Sequence, residues 1–143
     1  MTVTTTTHLN FRGQAREALD FYAGVFGGEV VAFTFAQGAT ERETADGAVP
    51  DQLMWGGLQS PSGFSIMAFD VPPKRAYDAG IDPLYVSVRC TEIEEVKRCW
   101  EGLTQGGTVR ADLGPAGFSP LYGMVKDRFG VTWVLDVITP HNG

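Results

Sequence analysis

The sequence predicts an α+β protein of two βαβββ modules whose mixed sheets curl around a cavity. Three observations lead there. A β-rich run passes into an amphipathic helix that ends at a Gly-Gly pair, and this happens twice, at Gly27-Gly28 and Gly106-Gly107. Each helix is followed by three short β-rich runs. The two halves also superpose on one another with a nearly constant offset.

The first strand is read from the alternation in Thr5 to Phe11, which yields after Gly13 to apolar residues at Ala15, Ala18, Leu19, Tyr22, Val25 and Phe26. That spacing places one apolar stripe along a helix. Gly27 and Gly28 stop it, because glycine reaches a left-handed conformation at least cost. Glu29 to Ala36 returns to Val and Phe and reads as a strand. The stretch Gln37 to Gln52 has no period of either kind and reads as a mobile surface loop, a candidate lid. Leu53 to Leu58 and Phe64 to Phe69 are short apolar runs joined by Ser60-Pro61-Ser62-Gly63, a hairpin turn by composition.

Module one thus spans about residues 1–70. Residues 71–83, with three prolines and a glycine, cannot extend a central strand and form a linker. Module two covers 84–139, the whole of 1–143 forming one domain. Leu84 to Val88 is its first strand. Thr91 and Glu94 have the spacing of a capping box in front of Ile93, Val96, Trp100 and Leu103, one helical face. Thr108 to Leu113, Ser119 to Val125 and Val131 to Ile138 supply three further strands, with turns at Gly114 to Gly117 and Asp127 to Gly130. Shifted by 78 residues, Ala15, Ala18, Tyr22, Val25 and Gly28 fall on Ile93, Val96, Trp100, Leu103 and Gly106; shifted by 77, Leu9 and Phe11 fall on Val86 and Val88.

The formal charge is −6, from 11 basic and 17 acidic residues, with no run of like charge that would track a phosphate backbone, so nucleic acid is not an expected partner. No stretch approaches the length of a membrane span, and Met1 to Thr7 is polar. A cytoplasmic protein that does not engage membranes is expected. Cys90 and Cys99 do not make a disulfide framework and read as small buried hydrophobes in a reducing compartment.

The run from Leu9 to Tyr22, LNFRGQAREALDFY, with Phe26-Gly27-Gly28-Glu29 behind it, resembles the opening of PhnB-like proteins of the vicinal oxygen chelate superfamily. So do Ile66 to Asp70 and, near the end, Tyr122 to Trp133, YGMVKDRFGVTW. The resemblance spans nearly the whole chain and implies the glyoxalase/bleomycin resistance-like fold and a homodimer, with barrels formed within or between chains. It does not fix a reaction, since one architecture hosts lyases, dioxygenases, isomerases and antibiotic-binding proteins.

Metal-dependent members look alike in placing His or Glu on the first and last strands of each module. At those places this chain has His8 and Met67 in module one, and Tyr85 and Val134 in module two. One imidazole without a carboxylate does not assemble a site of three or four ligands, unless Asp70 or Asp136 moves in to hold a divalent ion weakly. No cofactor is therefore expected. Some PhnB-like sequences carry a ubiquinone methyltransferase label, but no glycine-rich strand-to-helix turn that would cradle a nucleotide-like cofactor is present.

Three functions remain open. The first is binding of a small organic molecule in a pocket walled by Trp55, Met67, Tyr85, Phe118, Tyr122, Met124 and Trp133, whose soft and aromatic side chains suit a flat or hydrophobic ligand. The second is a lyase or isomerase with His8 and either Asp70 or Asp136 as acid and base. The third is sequestration of an antibiotic or toxin. His8 reads either as a hydrogen-bonded strand histidine or as a ligand, Asp70 as a turn cap or a pocket acid, and Asp136 as a carboxylate facing the cavity. His141 stands near the chain end, where solvent holds it.

Overall fold

A computed structural model describes residues 2–143. The chain divides into two compact units between Ala79 and Gly80. The first contains strand β1 (His8–Phe11), helix α1 (Ala15–Phe26), strand β2 (Glu29–Thr34), two short helices α2 (Phe35–Gly38) and α3 (Glu41–Ala45), then strands β3 (Leu53–Gln59) and β4 (Ser65–Asp70). The second contains β5 (Tyr85–Cys90), α4 (Ile93–Leu103), β6 (Thr108–Ala116), β7 (Ser119–Lys126) and β8 (Thr132–Val137). Each unit is βαβββ apart from the inserted α2 and α3.

The two sheets have the same topology, β1-β4-β3-β2 and β5-β8-β7-β6, each a four-stranded mixed sheet with its first and last strands parallel at one side. The sheets are not closed barrels. In the first unit α1 buries Ala15, Ala18, Leu19, Tyr22 and Phe26 against Phe11, Leu58, Ile66 and Ala68 of the sheet. In the second, α4 buries Val96, Cys99 and Leu103 on the side of Val125, Trp133 and Leu135.

Glycine decides how closely helix and sheet approach. A Cβ on Gly56 of β3 would lie 2.5 Å from the Leu19 methyl of α1, and one on Gly123 of β7 would lie 2.8 Å from the Trp100 ring of α4. Both sheets thus accept a large helical side chain where a strand offers none of its own. Gly28 has φ 95° and leaves no room for a Cβ, which would fall 2.2 Å from the Gln59 carbonyl oxygen. It must be glycine both for its conformation and for the close passage of the β3 end.

The buried carboxylate of Asp70 joins three segments of the first unit. One oxygen accepts the N–H of Gly13 at 2.7 Å and that of Ala15 at 3.1 Å, and the other accepts the N–H of Leu53 at 2.9 Å. It caps α1 from outside that helix and holds the start of β3 to the end of β4. Of the two roles open to Asp70 in the sequence, this is the cap.

Four local expectations are corrected. Residues 37–52 are not wholly irregular, because α2 and α3 lie on or just before them; each is too short to show a helical period. In α3 the Thr40 N–H donates to Glu43 Oε1 at 3.2 Å, and in α2 the Thr34 N–H donates to Gln37 Oε1 at 2.8 Å. The capping box expected of Thr91 and Glu94 does not form. Glu92 stands at the N-cap without a side-chain bond, and Glu94 pairs with Lys97 at 3.5 Å. Ile93 is 40% exposed, and Cys99 takes the buried place on the helix face. Strand β6 continues through Gly114 and Pro115 to Ala116 with bulged registers, so the turn shrinks to Gly117 and Phe118. A proline is tolerated there because β6 is an edge strand.

Replacing Asp70 by alanine would leave three buried or part-buried N–H groups without their acceptor and is expected to cost about 3–5 kcal/mol. Urea denaturation checks this: a midpoint within error of the parent would show that Asp70 is not the joint described.

Candidate functional site

Side chains of laterally paired strand residues lie on the same face of a sheet, so the registers assign the two faces of the first unit. Leu9, Phe11, Ala68 and Asp70 face α1. His8, paired with Met67, faces away from it. So do Gly57, paired with Met67, and Val31, paired with Gly57. This second face is concave and holds a cavity of about 680 Å³, lined among others by Thr6, Glu29, Val31, Trp55, Gln59 and Met67. Its size is that of a small-molecule site.

The floor of the cavity is built by one aromatic residue held in place from two sides. The Trp55 indole N–H points to Met67 Sδ at 3.3 Å, and a Cβ on Gly57 would lie 2.9 Å from the Trp55 ring. The ring therefore packs close against Gly57 and lines the cavity with apolar surface. Phe33 adds a second ring at 6.2 Å, half exposed, and Val31 is more than half exposed beside it. The adjacent glycines divide the work between faces, Gly56 admitting Leu19 to the core and Gly57 admitting the indole to the cavity.

His8 sits at the edge of this face, its ring 5.1 Å from that of Phe69. Partial desolvation lowers its pKa below the ordinary 6.5. At neutral pH it is a neutral imidazole. Asp70 is on the opposite face of the same sheet, three residues out of register with His8, so the expected His8–Asp70 acid–base pair does not form.

Asp136 lies in the second unit and is committed elsewhere. Arg89 Nε reaches its Oδ1 at 3.1 Å, and the same guanidinium holds the Asn142 carbonyl at 2.7 Å. The carboxylate is buried and held in this ion pair. Tyr85, Tyr122 and Met124 share its face of the second sheet by register, and Phe118 stacks edge-on to Tyr122 at 5.1 Å from the turn before β7. Trp133 is not a wall residue. It points to the helix side with no exposed surface, and its indole N–H donates to Asp127 Oδ2 at 2.8 Å.

The metal positions of the superfamily pair His8 with Met67 in the first unit, while Val134 pairs with Ser87 and Tyr85 with Thr132 in the second. Among the described residues no three His, Cys, Asp or Glu side chains converge on one point. One imidazole beside a thioether does not make the three- or four-ligand site that a zinc, iron or manganese ion needs.

Glu29, Val31, Gly57, Gln59 and Ser65 were not expected at the site. A signal for them existed in β2, where Glu29, Val31 and Phe33 alternate with Val30 and Ala32, so both faces carry apolar residues. A sheet with one face in solvent would place polar residues on the outer one.

Two βαβββ units with this topology define a protein of the vicinal oxygen chelate superfamily, with the glyoxalase/bleomycin resistance-like fold. A glyoxylase/bleomycin resistance protein/dioxygenase domain from Frankia sp. EAN1pec shares the fold at 13% identity, with a TM-score of 0.64 over 97% of this chain and 99% of the other. Within that superfamily the chain belongs to the PhnB-like family, whose model, described as 3-demethylubiquinone-9 3-methyltransferase, matches residues 3–136. Protein PA1353 from Pseudomonas aeruginosa is 29% identical, with a TM-score of 0.81 over 95% of this chain and 98% of that one. A putative 3-demethylubiquinone-9 3-methyltransferase, PhnB protein, from Bacillus cereus is 24% identical, with a TM-score of 0.74 over 95% and 100% of the two chains.

Two outcomes test this geometry. Gly57→Ala is expected to tilt the indole and change the near-ultraviolet circular dichroism with little loss of stability, whereas Gly56→Ala should cost about 1–3 kcal/mol by overpacking. As pH falls, the unfolded chain protonates His8 before the folded one, so the stability linked to neutral His8 is complete above pH 6.5 and drains away below it. His8→Gln should flatten that part of the stability profile between about pH 7.5 and 5.5, and the His8 imidazole should titrate by NMR below 6.5.

Proposed function

We propose that the chain is a metal-free small-molecule-binding protein that takes a flat or hydrophobic organic ligand on the concave face of its first sheet. The observation that carries this is the Trp55 indole, pinned by Met67 and Gly57 so that its apolar surface borders a cavity of about 680 Å³. Such a surface is preorganised, so the ligand does not bear the cost of ordering it. Sequestration of a drug or toxic aromatic is the form of this reading that requires no chemistry. The resemblance to PhnB-like proteins supports a homodimer in the cytoplasm.

A lyase or isomerase is the second reading, favoured by the neutral imidazole of His8, which does not line the cavity itself but pairs in register with the lining residue Met67 on the same face. His8 would act there as the base without Asp70. Methyl transfer, which the family description names, finds less support. At the α1 N-terminus, where an anionic cofactor group would bind, the N–H of Ala15 and that of Gly13 before the helix already go to Asp70, and the α4 N-terminus carries Glu92, Glu94 and Glu95.

Thermal-shift screening of aromatic compounds should find ligands that raise the melting temperature, since a hundredfold excess over Kd stabilises by about 2.7 kcal/mol. Trp55→Ala should weaken such ligands by about tenfold or more while His8→Ala leaves binding intact. Loss of ligand turnover in His8→Ala would instead establish the enzyme. Ligands whose affinity ignores Trp55 would refute the site.

A further inference from the structure

The concave face of the first sheet is zoned in rows that run across its strands. Glu29 of β2 pairs with Gln59 of β3, and Gln59 pairs with Ser65 of β4. These three side chains form one polar row. The next row on the same face is Val31, Gly57 and Met67, with His8 at its end, and over it lies the Trp55 ring. Gly57 and Gln59 are two residues apart, so the rows are separated by roughly 7 Å along the strand.

The polar row is the charged end of the cavity. Glu29 is the only formally charged side chain among the lining residues, which include no Lys or Arg, while Gln59 and Ser65 supply neutral oxygens. His8 adds no opposing cation at neutral pH. The wider field has the same sign, since the chain carries a formal −6.

From this zoning we infer that the ligand of the first-sheet cavity is an organic cation, a flat apolar body bearing a primary ammonium about one ring-length away. This rests on the binding site proposed above and assigns its chemical class. The body lies on the indole, Val31 and Met67. The ammonium sits in the polar row, giving one N–H to the Glu29 carboxylate and the others to the Gln59 amide oxygen and the Ser65 hydroxyl. An ammonium has three donors and no acceptor, so this row of oxygens satisfies it completely.

Calorimetric titration of the full chain with three matched probes decides the question: naphthylmethylammonium, naphthylmethanol and naphthoate. Glu29 is exposed, so the cation should bind roughly threefold to fivefold more tightly than the alcohol and the anion most weakly, with the preference shrinking as salt is added. In Glu29→Gln the cation should fall to the affinity of the alcohol, with an unchanged urea midpoint showing that the variant is folded. Equal binding of cation and alcohol by the parent, or a preference that survives Glu29→Gln, would overturn the cation assignment and leave the apolar site standing. Binding of none of the three would overturn both.

Discussion

The first unit is organised around a buried carboxylate held by three backbone N–H groups. Asp70 accepts N–H groups from the β1–α1 turn, from the first residue of α1 and from the start of β3. Burying a charge is costly unless it is fully hydrogen-bonded, and here peptide groups and the positive end of a helix meet that requirement together. The consequence reaches the other face of the sheet. With β4 fixed at Asp70 and β3 at Leu53, the register between them is set, and that register brings Met67 beside Gly57, the one accepting the indole N–H and the other leaving room for the ring. A strand slip by one residue would invert the faces and empty the cavity of Trp55 and Met67 alike.

The second unit repeats the topology without the same device. Where Phe11 pairs with Asp70 in the first sheet, Val88 pairs with Leu135 in the second. The nearby carboxylate, Asp136, is on the opposite face from α4 and is engaged by Arg89, whose guanidinium also holds Asn142 of the chain end. Asn142 in turn reaches the carbonyls of Phe118 and Val137. One sheet spends its carboxylate on the helix and leaves its far face for an indole; the other spends it on bracing that far face.

The module pattern was legible because it rests on long periods, the stripe of α1 and the Gly-Gly stops. Short elements were not. Helices α2 and α3 have four and five residues, less than the span in which a helical repeat declares itself. The Thr40 and Glu43 spacing was nevertheless available as a capping signal, and the similar Thr91 and Glu94 spacing was misleading because α4 begins after Glu92. For the site, Trp55 and Met67 could be named from their chemistry. The faces of His8 and Asp70 could not, since these depend on a pairing between strands nearly sixty residues apart that no local pattern records. Trp133 misled for the same reason: an indole suits a ligand wall or a core equally, and its full burial on the helix face and its bond to Asp127 distinguish them.

The consecutive glycines of β3 bear on how such a protein diversifies. Gly56 is answerable to the core and Gly57 to the cavity, so a single dipeptide separates the demands of folding from those of recognition. Substitutions on the row of Val31, Gly57 and Met67 can reshape what is bound while Leu19 and its neighbours are untouched. A lineage can thus exchange one ligand for another by drift at a few outward positions, and families whose members look alike in backbone yet answer to different small molecules are the expected result of that separation.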